Sequence, residues 1–410
     1  MGIRSRCSDD FLWLPYAVAH YISKTGDLNI LDMQIPYIES AVLSKRESER
    51  YERPRISNER ESLYMHCVRA IEHALCSFGE HGLPLIGSCD WNDGFSRVGI
   101  GGKGESVWLG WFLICVLQDF IPICNLRGDT NGVEKYTAMI QKLYLSLEAN
   151  TYENGWYIRA FFDDGTKLGA ASSEECKIDL IPQAFAAISK MPKKSKALSA
   201  LNAAYDCLYD ARHALIRLFW PPFVDGEKDP GYIKAYVAGI RENGGQYTHA
   251  ANWAAYAYLK LGENARGYEL LRAINPLSRL SDPELLEKYG IEPYVIAGDV
   301  YANPDHMGRG GWSWYTGGAG WFYRTVLEQL IGYNEQGNRF LLKPHLSAAF
   351  SKYSIKIQKH GTIYEIFVHT AAEFSVLIDG IRLPDICSEE SLSFEFDGES
   401  HKVEIACPLK

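Results

Sequence analysis

The chain has no pair of cysteines at C-x-x-C spacing and no Cys/His pattern fit for zinc. Its 10 Cys are scattered through 410 residues, which reads as reduced, buried thiols of a cytosolic protein rather than a disulfide framework. It also lacks an excess of positive charge. A net charge of -9 with a pI near 5.7 argues against non-specific nucleic-acid binding. No apolar run reaches the length of a membrane span, and the N-terminus lacks the charged-then-apolar order of a signal peptide. The expected location is the cytoplasm, either as a separate protein or as the cytoplasmic domain of a membrane-bound one. There is no strand–helix alternation, which excludes a parallel α/β fold, and no short fixed repeat, which excludes a solenoid. His66 and His73 lie seven apart with no third ligand, so no metal is expected. The glycines from Gly99 to Gly104 lack the Lys-Ser/Thr pair of a nucleotide loop.

What the chain does have is apolar residues at helical spacing. Phe11, Leu12, Leu14, Val18 and Ile22 predict a first helix. Ser62 reads as an N-cap ahead of Leu63, Cys67, Ile71 and Leu75. Val107, Trp108, Trp111, Phe112 and Ile114 start a helix apolar on most sides, as in an inner ring packed between neighbours. Further helices are predicted near 132–149, 180–190, 194–218, 249–261, 264–273 and 319–332, and the charged residues 44–60 read as a surface loop. Beyond residue 345 the period changes to two. Ile355 and Ile357, Tyr364 to Val368, and Phe374 to Ile378 alternate with polar residues, and Asp379-Gly380 signals a hairpin. The prediction is mainly α: an α/α toroid over 1–344, then a small antiparallel β-domain over 345–410.

Three stretches are polar, aromatic and glycine-rich together. The first contains Asp90-Trp91-Asn92-Asp93-Gly94, two carboxylates three positions apart around an indole and a carboxamide. The second runs from Tyr236 through Arg241-Glu242-Asn243-Gly244-Gly245 to His249, and the third from His306 to Trp321 through Thr316-Gly317. Carboxylates grip hydroxyls and protonate glycosidic oxygens, and indoles cover the apolar face of a pyranose. Both later stretches lead into helix N-termini, whose free N–H groups favour an anion. The aromatic content of 13%, with 10 Trp and 25 Tyr, suits a carbohydrate ligand. Taken singly, each feature also fits a bland role: Asp90 or Asp93 as a helix cap, His249 as a structural residue, Thr316-Gly317 as a turn.

With Arg6 to Pro15 and Gly104 to Trp111, these stretches resemble glycoside hydrolase family 94, the inverting cellobiose and chitobiose phosphorylases. The likeness runs nearest to the C-terminal phosphorylase domain of cyclic β-1,2-glucan synthases. The resemblance implies an (α/α)6 barrel followed by a β-domain. It implies Asp93 as general acid and Trp91 as a sugar contact. It further implies Tyr236, Arg241 and Glu242 in sugar subsites, and His249, Thr316 and Gly317 around phosphate. Arg6 and Asp10 fall in its donor-sugar and phosphate region. Disaccharide phosphorylases commonly carry Lys at the Arg241 position, so the acceptor contacts are expected to differ. Family members also carry an N-terminal β-sandwich and a helical linker, which predicts that this chain is N-terminally truncated. The implied partners are a β-glucan or gluco-oligosaccharide and inorganic phosphate, with no cofactor. A homodimer or a place in a larger multidomain synthase is the expected assembly.

The expected reaction is phosphorolysis. Protonated Asp93 gives its proton to the glycosidic oxygen, and phosphate attacks the anomeric carbon from the opposite face. Burial and the nearby Asp90 are the expected aids that keep the proton on Asp93. Two alternatives stand beside it: an inverting hydrolase with Glu242 as base, and a non-catalytic glucan-binding or chain-length-control module.

Overall fold

Caps and apolar stripes set the helices. In the computed structural model, which describes residues 2–44, 47–314, 317–384 and 391–409, they are α1 (Asp10–Thr25), α2 (Leu63–Ala74), α3 (Val107–Arg127), α4 (Thr130–Asn150) and α5 (Leu180–Ser189). They continue as α6 (Lys194–Leu208), α7 (Thr248–Lys260), α8 (Asn264–Ile274), α9 (Pro283–Tyr289) and α10 (Gly318–Arg324). Side-chain oxygens of Ser62, Ser106, Asp129 and Asp179 accept from N–H groups in the first turns of α2, α3, α4 and α5. Left-handed Gly26 and Gly128 close α1 and α3. Beyond α10 the chain continues as a wider π-helical stretch, Thr325–Ile331.

The helices pack in alternation. α1, α3, α5, α7 and α10 contact one another in that order, while α2, α4, α6 and α8 each back one of the first four. Arg324 donates to the Tyr16 hydroxyl at 2.7 Å and Lys24 pairs with Glu328 at 2.9 Å, which brings the last of the series back against α1. The two roles are visible in side chains. Outer α4 buries only the stripe Gly132, Tyr136, Ile140, Leu143 and Leu147, whereas inner α3 is buried on all sides from Val107 to Leu117. α3 is long and apolar enough to cross a membrane by length and composition, contrary to the expectation that no such run exists, but most of it is enclosed by neighbouring helices. Where the inner helices meet, Phe185 of α5 lies edge-on to Phe112 of α3 at 5.7 Å and to Trp253 of α7 at 4.8 Å. Each such buried ring contributes about 2–3 kcal/mol.

Three expectations need correction. The stretch read as a surface loop over 44–60 ends in a strand: Arg55–Ser62 pairs antiparallel with Gln34–Glu39. Only Ser57 of that strand is buried, so it carries no period-two apolar signal. The strand-rich region also begins earlier than 345, because Tyr333–Gln336 and Arg339–Leu342 form a sheet with Leu392–Glu395. Nor is the tail wholly antiparallel. In its five-stranded sheet Thr362–Thr370 and Ser400–Cys407 run parallel, side by side at the centre. The hairpin Ser375–Arg382 and the strand in the other sheet supply the long connection that a parallel pair needs.

Candidate active site

The first loop is built around Asp90, which is buried. Arg159 meets it with both terminal nitrogens, at 2.7 and 2.6 Å, and the Ser106 hydroxyl donates at 2.7 Å. Ser106 is also the cap of α3, so the loop is tied to that helix N-terminus. Arg159 is itself enclosed, with Asp179 at 3.4 Å and the Phe95 ring 5.0 Å away. Burial pushes the Asp179 carboxyl up to about 7 despite that cation. Asp90 then accepts from the Asn92 N–H, and Asn92 from the Gly94 N–H, at 3.1 and 3.2 Å. These turns present Asp93 outward. A Cβ on Gly94 would stand 2.8 Å from Ile233, so the glycine is what lets the loop lie against residues 231–236.

Asp93 is exposed, not buried as expected, and Asp90 is committed to Arg159. Burial, with Asp93 adding, raises the Tyr232 hydroxyl above its ordinary range, and the Asp93 charge is felt at Tyr236 and Glu242. Glu242 is buried, and burial raises its carboxyl above the usual range, with Arg241 opposing and Asp93 and Asp299 adding. Arg241 lies 3.4 Å from Glu242, and its guanidinium is held between two rings, 4.3 Å from Tyr236 and 3.8 Å from Trp312. Its backbone is left-handed, with φ of 53°, a conformation kept where surroundings over-determine it. Asp299 does this by accepting from the Arg241 N–H at 3.0 Å and the Trp312 N–H at 3.4 Å.

Beside Trp91 stands His249, in the first turn of α7. The rings of Trp91 and His249 are 5.5 Å apart, and Trp253 lies 5.0 Å from Trp91 and 4.4 Å from His249. Burial pulls the imidazole down to about 3, so it is neutral and can donate or accept but supplies no charge. A Cβ on Gly317 would come within 3.3 Å of the His249 ring, which sets the two side by side. Asn252 links the starts of α7 and α10, donating to the carbonyls of Thr248 and Gly318 at 2.8 and 3.1 Å. Thr316 lies outside the described residues. Around this centre, Asn92 Nδ2, Thr248 Oγ1, His249 Nε2 and Trp253 Nε1 are buried with no hydrogen-bond partner among the described residues. Buried polar atoms of this kind cost free energy unless a ligand meets them.

The structure thus groups Trp91, His249 and Gly317, and separately Asp93, Tyr236, Arg241 and Glu242, with Trp91 and Asp93 two residues apart in one loop. It does not bring in the first-segment candidates. Arg6 turns to the carbonyls of Leu43 and Ser44, at 3.2 and 2.9 Å, and Asp10 is exposed and bonded to Ser5. The inward carboxyl is Asp9, which is buried, takes a 2.8 Å bond from Trp13 and is pushed up to about 7 by burial, with Asp90 and Asp10 adding. Helical spacing could have found it, because Asp9, Trp13 and Tyr16 share one face of α1 and Asp10 does not. Tyr232, Trp312 and Asp299 were also missed. Tyr232 sits four residues before Tyr236 in the stretch leading to the second loop, while Asp299 has no local signal at all.

The catalytic-domain model of the glycosyl hydrolase 94 superfamily matches residues 1–332, and the chain belongs to that family. It is 40% identical over 367 residues to the cyclic beta-(1,2)-glucan synthase NdvB of Rhizobium meliloti, covering 90% of this chain and 13% of that protein. It is 27% identical over 371 residues to the N,N'-diacetylchitobiose phosphorylase of Vibrio furnissii, covering 90% of this chain and 43% of that one. The 1,2-beta-oligoglucan phosphorylase of Listeria innocua is 20% identical, over 92% of this chain and 35% of its own length. The chain therefore spans less than half of each of these relatives. A GH78 family rhamnosidase from Bacillus sp. GL1 shares the fold, with a TM-score of 0.50 at 12% identity over 99% of this chain and 35% of the rhamnosidase.

Proposed function

We propose that the chain is the catalytic part of an inverting phosphorylase that cleaves a β-glucoside with inorganic phosphate to give α-glucose 1-phosphate. The observation that carries this is the set of unpartnered buried polar atoms around Trp91, with neutral His249 against Gly317 and exposed Asp93 in the same loop as Trp91. Asp93 delivers a proton to the glycosidic oxygen, and a bound sugar that covers the carboxyl favours its protonated form. Phosphate sits at His249, Gly317 and Thr316 and attacks the anomeric carbon from the opposite face, so no second carboxylate is needed to activate water. Trp91 covers the sugar at the cleavage point, and Tyr236, Arg241 and Glu242 meet the sugar beyond it. The reaction uses no cofactor or metal. The alternating helices are read as part of an (α/α)6 barrel. Similarity to NdvB and to the 1,2-β-oligoglucan phosphorylase favours a β-1,2 linkage; a cytoplasmic setting, and work as a homodimer or within a larger synthase, belong to the same proposal.

The test runs the reaction backwards. Glucose 1-phosphate is supplied with glucose, sophorose, cellobiose or laminaribiose, and phosphate release is measured. Release with sophorose above the others is the expected result. Free glucose from the glucan without phosphate would replace this reading with hydrolysis, and oligosaccharide binding with neither product would leave a binding module.

A further inference from the structure

We propose that Cys7 and Cys89 form a reversible thiol–disulfide site, with a small disulfide such as oxidised glutathione as its oxidant. The two sulfurs lie 2.6 Å apart although 82 positions separate them in sequence, well inside ordinary van der Waals contact. The main chain sets this approach. Cys7 bridges to Gly87 and to Cys89, and the Ser8 N–H and hydroxyl both donate to the Cys89 carbonyl, at 2.9 and 3.1 Å. Backbones held this close need no rearrangement to be crosslinked. The two thiols differ in access. Cys89 is buried, while Cys7 is half-buried and lines a cavity of about 790 Å³ with Arg6, Phe11, His73 and Gly99. That space admits a molecule the size of a tripeptide disulfide.

Entry is therefore at Cys7. Its thiolate attacks one sulfur of oxidised glutathione, forming a mixed disulfide and expelling one glutathione thiolate. The Cys89 sulfur, after losing its proton, attacks the Cys7 sulfur and expels the second. Two electrons pass to glutathione, and the chain loses two hydrogens. The crosslink ties the segment ahead of α1 to the loop that carries Asp90 and Asp93, so oxidation state bears directly on the site. This inference does not depend on phosphorolysis, since its readouts are chemical.

The full chain, reduced and folded, is incubated with oxidised glutathione, alkylated and mapped by mass spectrometry. The expected product is a Cys7–Cys89 linked peptide, lighter than the reduced pair by about 2 Da and restored by dithiothreitol. Cys76 and Cys207, both exposed, instead carry separate glutathione adducts and serve as controls. In Cys89→Ser the adduct is trapped on Cys7; in Cys7→Ser, Cys89 stays unmodified. Separate adducts on Cys7 and Cys89 of the folded wild-type chain, or either one linked to another cysteine, would overturn the proposal.

Discussion

Asp90 and Asp93 stand three residues apart in one loop and have opposite surroundings. Asp90 is enclosed, with Arg159 and Ser106 satisfying its oxygens, and anchors the loop to the start of α3. Asp93 is exposed, touched by a tyrosine hydroxyl, and faces the second loop. The contrast teaches that the paired carboxylates are not an acid–base couple. One fixes the backbone so that the other can be offered to a ligand.

The sharpest way to break that comparison is to remove each member. Asp93→Asn is expected to lower turnover on the order of 10³-fold, about 4 kcal/mol, with sugar binding and melting temperature kept. Turnover within a few-fold of wild type would take Asp93 out of the chemistry. Arg159→Leu leaves Asp90 charged and buried alone, which costs about 3 kcal/mol of stability. A denaturant melt reads this, and an unchanged midpoint would mean that the ion group is not structural.

Asp9 adds a pH test on the interior side. Its carboxyl rises from 3.8 to about 7, so the folded chain holds this proton more tightly than the unfolded chain. That contribution is fully present below the unfolded value and is lost as pH rises through about 7, a fall on the order of 4 kcal/mol. Asp9→Asn should flatten the decline in melting temperature across this window; a decline as steep as in wild type assigns it elsewhere. The smallest expected effect is on the exposed side. Arg241→Lys keeps the charge but loses the planar group between Tyr236 and Trp312, raising KM for the acceptor sugar by about tenfold, about 1.4 kcal/mol. A change in turnover without one in KM would move Arg241 out of the acceptor subsite.

Much of the helical part was legible because apolar stripes and caps are local signals. The predicted segments near 132–149, 180–190, 249–261 and 264–273 fall on α4, α5, α7 and α8 to within two residues. The predicted helix over 194–218 overran, since the chain turns at Tyr209 into a short hairpin with Leu215–Ile216. What failed was non-local. The parallel pairing of Thr362–Thr370 with Ser400–Cys407 depends on strand order, which alternation does not encode. Likewise, nothing near Asp90 announces Arg159, a partner 69 positions away. The three loops could be read as one neighbourhood from composition, but which carboxyl of Asp9 and Asp10 turns inward depends on where α1 begins.

On the proposed acceptor side, one carboxylate holds the backbone of two residues at once. Asp299 grips the backbone at both Arg241 and Trp312, and a Cβ on Gly311 would fall 2.0 Å from its oxygen. Arg241 and the Trp312 ring beside its guanidinium therefore share a single hinge pin. Altering sugar preference by changing one of them leaves the other pinned in the old place, so new acceptors are more readily gained by exchanging both loops together with Asp299 and Gly311 than by substitutions made singly.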